Sequence, residues 1–221
     1  MDANYNLTTL VGRVKTRLHD EEYSDDTITQ FLNDAYFEIV GDSEYTFLER
    51  HYRSSTQTGG ILYLPPDFQS VKVLTAKTDT GLQPLKYMPD GEFFAMEKDS
   101  ALKNYRYTIF ANTLFYGLPD ITEDRDKDGD EVFYDLDVYY LAKPRAMVNP
   151  DDKPLLPYEF SEALILSTLA RAERLRDNFD YAAIYENKCD ELLTNMKLRY
   201  CPRQLDNANR AQLPVVARLR H

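Results

Sequence analysis

The chain has 221 residues, 43% of them hydrophobic and 29% charged, with a formal net charge of −11. That is length enough for a substantial core, and the charge argues against a protein that grips nucleic acid by neutralising phosphates. No apolar run reaches membrane-spanning length, and Met1-Asp2-Ala3-Asn4 is neither basic nor followed by an apolar stretch, so no secretory signal is expected.

Leu7, Leu10, Val11, Val14 and Leu18 mark a first amphipathic helix, and the loop His19 to Tyr23 follows it. Ser24 is the expected N-cap of a second helix with Asp25 and Asp26 in its first turn. Ile28, Phe31, Leu32, Ala35, Tyr36 and Ile39 carry its helical period, and Gly41 fits a C-cap. After Glu49 the period becomes alternating. His51 to Thr56, Ile61 to Leu64 and Val71 to Thr75 read as strands, with Thr58-Gly59-Gly60 as the first turn. Pro65-Pro66-Asp67 closes the second of them, because proline cannot donate to a ladder.

Pro89 to Met96 predicts a short helix. Arg106 to Phe110 and Thr113 to Tyr116 flank Ala111-Asn112, a two-residue hairpin turn in which Asn112 tolerates positive φ. Val132, Tyr134, Leu136, Val138 and Tyr140 alternate with polar residues and predict the longest strand. After Lys143-Pro144-Arg145 and a polar linker, Pro157 to Tyr200 reads as two helices broken at Asp177-Asn178-Phe179-Asp180. Pro157 suits a first helical position, with Glu159 and Glu162 in the opening turns. No charge occurs from Ala163 to Ala170, so that helix must be covered on most sides. In the next helix Tyr181, Tyr185, Cys189, Leu192, Met196 and Tyr200 repeat at 4-4-3-4-4 and predict one apolar stripe. Cys189 on that stripe reads as a packed thiol, and with Cys201 it suits a reduced cytosolic setting.

The order helix, helix, β-rich insert, helix, helix, tail predicts an α+β chain. Residues 1–49 and 151–200 would form one helical bundle, 50–150 a β-rich insertion and 201–221 an extended C-terminal tail. The charge is split along it. From Lys197 to His221 there are six basic residues, Lys197, Arg199, Arg203, Arg210, Arg218 and Arg220, against the single acid Asp206. The other 196 residues hold 20 basic and 36 acidic side chains, a balance of −16. An acidic body with a basic tail suggests that the tail seeks an acidic partner surface. Leu205, Leu213, Val215, Val216 and Leu219 between its arginines favour a segment that orders on that partner.

Catalytic chemistry has little to stand on. His19, His51 and His221 fall in no motif with a serine or cysteine, and no G-x-S-x-G, P-loop, H-E-x-x-H or C-x-x-C occurs. Asp124-Arg125-Asp126-Lys127-Asp128-Gly129-Asp130 begins as calcium loops begin, with alternate carboxylates and a glycine for the sharp turn. Its twelfth position is Asp135 within a strand pattern, and Glu131 stands where an aliphatic residue is usual. A solvated acidic connection between strands is the competing reading, and no cofactor or metal is expected.

Several stretches, taken in order, resemble bacteriophage head-to-tail adaptor (connector) proteins. They are Tyr23-Ser24-Asp25-Asp26 leading into Leu32-Asn33-Asp34-Ala35-Tyr36, Tyr63-Leu64-Pro65-Pro66-Asp67-Phe68, Tyr107 to Leu114, and Tyr139-Tyr140-Leu141-Ala142-Lys143-Pro144 before the helical pair. The likeness runs from about Leu7 to Tyr200. It implies a structural virion protein of the neck, not an enzyme, assembled in the host cytoplasm. Its partners would be the portal protein, the next tail or neck component, and itself in a dodecameric ring. Double-stranded DNA would pass through the channel without specific binding, and no membrane is involved. By the same resemblance the tail from about Tyr200 docks on the portal, with Arg199, Arg203, Arg210, Arg218 and Arg220 as the portal-binding residues. The acidic 124–130 loop departs from the family pattern. Two other classes stay open at this point: a calcium-dependent binding module of a larger assembly, and a small-terminase-like packaging protein.

Overall fold

The computed structural model describes residues 5–18, 23–55, 60–78, 81–96, 101–118 and 135–201. In chain order its elements are α1 (Leu7–Leu18), α2 (Asp25–Gly41), β1 (Glu49–Ser55), β2 (Ile61–Tyr63), β3 (Phe68–Thr78), β4 (Gly81–Pro84) and β5 (Lys86–Tyr87). There follow α3 (Asp90–Ala95), β6 (Arg106–Phe110), β7 (Thr113–Gly117), β8 (Asp135–Ala142), α4 (Ser161–Leu175) and α5 (Phe179–Tyr200). The chain is therefore mixed α and β, and it divides into two compact units, Met1–Phe47 with Ala146–His221, and Leu48–Arg145. The 124–130 loop and the expected strand start at Val132 lie outside the described residues.

In the helical unit α1 buries Leu7, Leu10, Val11, Val14 and Leu18, the set its spacing predicts. Ser24 caps α2: its hydroxyl accepts the Thr27 N–H at 3.2 Å. The helix buries Ile28, Leu32, Ala35, Tyr36, Ile39 and Val40. Gly41 is not the expected left-handed cap. It is the last helical residue, and Asp42 after it stays right-handed at φ −71°, so no glycine is required there. Pro157 likewise precedes a single 3-10 turn, Tyr158–Phe160, and α4 starts only at Ser161.

From Ala163 to Ala170 every residue of α4 except Ser167 is buried. The helix packs against α1, α2 and α5, and Thr168 meets its own hydrogen-bonding need by donating to the Leu164 carbonyl at 2.8 Å. The α5 stripe departs from expectation. Only Ala182, Cys189 and Met196 are buried, and Tyr181 is 60% exposed. Those three recur every seventh residue, the narrow seam of a helix packed mainly on one neighbour, with Tyr185, Leu192 and Leu193 half-buried beside it. The break between the helices is made by Asp177, left-handed at φ 59°.

Side chains of α2 fix the segment that leads into α4. The Asn33 side-chain amide donates to the Met147 carbonyl at 2.9 Å and its oxygen accepts the Met147 N–H at 2.8 Å. Tyr36, fully buried, accepts the Leu155 N–H on its hydroxyl at 3.0 Å. The Tyr23 hydroxyl donates to the Ala172 carbonyl at 3.0 Å. These bonds give residues of the motif Leu32-Asn33-Asp34-Ala35-Tyr36 a physical task.

The second unit holds two four-stranded sheets, ordered β1-β8-β3-β4 and β2-β7-β6-β5. Leu74, Leu136, Val138 and Tyr140 of the first share one core with Leu62, Leu114, Tyr107 and Tyr116 of the second. The β6–β7 hairpin turns through Ala111 and Asn112, both at positive φ (48° and 60°), as a two-residue turn of the right hand requires. Gly60 is needed in its position: at φ 69° a Cβ there would lie 2.4 Å from the Tyr116 carbonyl oxygen. On the outer face of the first sheet Asp137 is 5% exposed. Arg53 grips it with Nε at 2.7 Å and Nη2 at 3.1 Å, and His51 Nε2 lies 2.6 Å from the same carboxylate.

Asn33→Asp sets a carboxylate oxygen against the Met147 carbonyl in place of a donor. It is expected to cost about 1–3 kcal/mol, read as a lower denaturant midpoint; an unchanged midpoint would remove the bidentate bond from the account. The hydrogen bond from Arg53, aided by His51 and opposed by burial, holds the Asp137 carboxyl below its ordinary value. With the folded pKa depressed, this stabilisation is complete above the unfolded carboxylate pKa of about 3.9 and is lost as pH falls through the lower folded value. Asp137→Asn should therefore lower the melting temperature at neutral pH and flatten its decline on acidification, as followed by circular dichroism.

Candidate interaction surfaces

The C-terminal end of α5 is clamped. Arg199 Nη1 binds Glu159 Oε1 at 2.6 Å, and the Tyr200 hydroxyl donates to the same oxygen at 2.9 Å. Those two donors, Tyr200 foremost, hold the Glu159 carboxyl below the usual carboxylate range. The Tyr200 ring meets Phe160 and Phe47 edge-on at 5.9 and 5.5 Å, and Lys197 pairs with Asp42 at 2.5 Å. The point at which the chain leaves α5 is thus held by rings and charges on three sides. Of the five arginines singled out in the sequence, Arg199 belongs to this clamp, its side chain 63% exposed. Arg203, Arg210, Arg218 and Arg220 lie outside the described residues.

A cleft of about 520 Å³ opens between α2, α4 and α5, over Ile39, Ala170, Cys189 and Leu193. Its rim is tied by ion pairs, Arg171 to Glu38, Arg174 to Glu186 and Lys197 to Asp42. Burial pushes the Cys189 thiol up to about 11, and its Sγ donates to the Ala163 carbonyl at 3.4 Å. A thiol so placed is a packing group, not a nucleophile. The His51–Asp137 pair resembles half of a catalytic relay, yet its imidazole stacks on Tyr139 at 4.6 Å and Asp137 is spent on Arg53. Among the described residues no group of three His, Cys, Asp or Glu side chains is placed to hold a metal ion, and no described helix is long and apolar enough to cross a membrane.

What the molecule offers instead is exposed apolar surface. On the outer face of the sheet β2-β7-β6-β5, Tyr63, Thr113 and Phe110 stand in one cross-strand row. Tyr63 is 69% and Phe110 55% exposed. Phe94 of α3 meets Phe110 at 6.1 Å and Phe115 at 5.1 Å, widening the row into an aromatic patch. A second patch lies in the helical unit at the α4–α5 turn, where Leu175, Phe179, Tyr181 and Ile184 are all exposed. Both were missed by sequence reasoning. The first had a signal: in Tyr107-Thr108-Ile109-Phe110 and Thr113-Leu114-Phe115-Tyr116 both faces of the strand are largely apolar, more than one core requires.

Comparison with curated proteins finds none that matches. The family model of the SU10 adaptor protein matches residues 5–218, almost the whole length, and the chain belongs to that family of structural bacteriophage head-to-tail adaptors.

Proposed function

We propose that this chain is the repeated subunit of a ring in the phage neck, docked on the portal, lengthening the DNA channel and offering a platform to the next tail component. The observation that carries the reading is the charge division about the end of α5. The clamp of Glu159, Arg199 and Tyr200 fixes the point from which the arginine-bearing segment departs. Everything before Lys197 has a balance of −16. An acidic body does not hold passing DNA, since each phosphate neutralised by Lys or Arg would add salt-dependent affinity. The basic segment then serves the other need, attachment. In this reading Arg199, Arg203, Arg210, Arg218 and Arg220 meet carboxylates of the portal, and their aliphatic neighbours order on its surface.

Truncation after Tyr200 tests the assignment. The shortened protein should keep its helical circular dichroism and fail to co-sediment with portal-bearing heads. Wild-type binding should itself weaken as salt is raised. Undiminished binding by the truncated chain would remove the tail from the docking role.

A further inference from the structure

We propose that the two exposed apolar patches are the two halves of one contact between neighbouring copies: the α4–α5 turn of one subunit seats on the outer face of the β2-β7-β6-β5 sheet of the next. This rests on the ring reading. A ring closes by a heterologous contact, in which two different surfaces of the same chain fit each other. Among the described residues the two patches named above are alike in being apolar and unlike in charge.

The turn carries Phe179, 63% exposed, with Leu175, Tyr181 and Ile184 around it. Asp177 and Asp180 stand exposed among them without an ion pair among the described residues. The nearest cations are committed elsewhere: Arg174 pairs with Glu186 at 2.6 Å, and Arg176 lies over the Tyr23 ring at 4.9 Å. This surface is apolar and acidic.

The sheet face carries Tyr63, Phe94 and Phe110, and it has a peculiarity of charge. Lys86 on β5 stands in register with Arg106 on β6, two cations side by side in a parallel pair. Like charges so placed destabilise a sheet, and neither has an ion pair among the described residues. Lys103 sits nearby over the Phe93 ring at 4.9 Å. Asp90 and Glu92 belong to the first turn of α3, where carboxylates answer the helix dipole, and the Asp90 side chain accepts the Gly91 N–H at 2.9 Å. Among the described residues, three cations against two such acids leave the face basic. The Lys86–Arg106 repulsion is relieved when a carboxylate is brought to it, and Asp177 and Asp180 arrive with an apolar knob to fill the aromatic patch. Aromatic rings and arginine are also the side chains enriched where protein surfaces meet.

Charge exchange tests this contact. One variant, Asp177→Asn with Asp180→Lys, makes the turn basic; asparagine keeps the left-handed backbone at 177. The other, Lys86→Glu with Arg106→Glu, makes the sheet face acidic. Each variant alone sets like charge against like and should load on portal-bearing heads more than about tenfold less than wild type, with circular dichroism unchanged. An equal mixture should load normally, because every contact in an alternating ring then joins opposite charges. Normal loading by either variant alone, or a mixture no better than its parts, overturns the contact. If wild type itself fails to load, the portal-docking reading falls, and sedimentation of the mixed variants in solution still decides the contact. Association of the mixture beyond either variant sustains it, and separate sedimentation ends it.

Discussion

The helical unit depends on one constraint, the burial of the uncharged middle of α4. Leu164, Ile165 and Leu169 are fully buried, each worth about 1.5–3 kcal/mol, and a lone helix cannot bury them. They need α1 and α2 on one side and α5 on another, so these four helices must fold as one body, whatever is inserted between them. The ion pairs over this core, Arg13 and Arg17 with Glu162 and Arg171 with Glu38, are partly exposed and worth about 0–1 kcal/mol each. Burial therefore supplies the stability, and the charges set which helix faces which.

Burial of Met147 and Leu156 alone would not set the backbone of the segment that leads into α4. The two bonds of Asn33 to Met147 and that of Tyr36 to Leu155 fix it. Each satisfies buried or half-buried backbone that would otherwise lose water without return. The same economy appears in the β unit, where Asp137 is enclosed on a sheet face and is tolerated because Arg53 and His51 meet both its oxygens.

Where periodicity is strong, the elements are legible in the amino acids. The α1 boundaries, the Ser24 cap and the Ala111-Asn112 turn all follow from local rules. What escaped them was set by neighbours. The 4-4-3-4-4 run of α5 promised a broad buried stripe, but one main neighbouring helix can cover only the seam through Ala182, Cys189 and Met196. β4 and β5 carry glycine, proline and lysine, and β5 is two residues long; they are strands because β3 and β6 offer them edges. An apolar residue left on the surface reads like core, so Phe179 was not distinguished from its buried neighbours, while Phe110 was marked only by the apolar character of both faces of its strand. The candidate docking arginines were visible as charge; their geometry beyond Arg199 lies outside the described residues.

Exposed phenylalanines and tyrosines are a hazard at any appreciable concentration, because apolar patches associate without discrimination. The net charge of −11 works against this. Like-charged copies repel at a distance of about one Debye length, near 8 Å at physiological salt, before rings can touch. Association then requires that this repulsion be offset locally, by opposite charges at the contact or by a template that holds copies close. Attachment to the portal through the arginine-bearing segment would provide such closeness, converting a weak encounter between copies into a near-intramolecular one. On the ring reading proposed above, acidity of the body, basicity of the tail and exposure of apolar patches would then serve one requirement: copies should associate where the portal is, and not before.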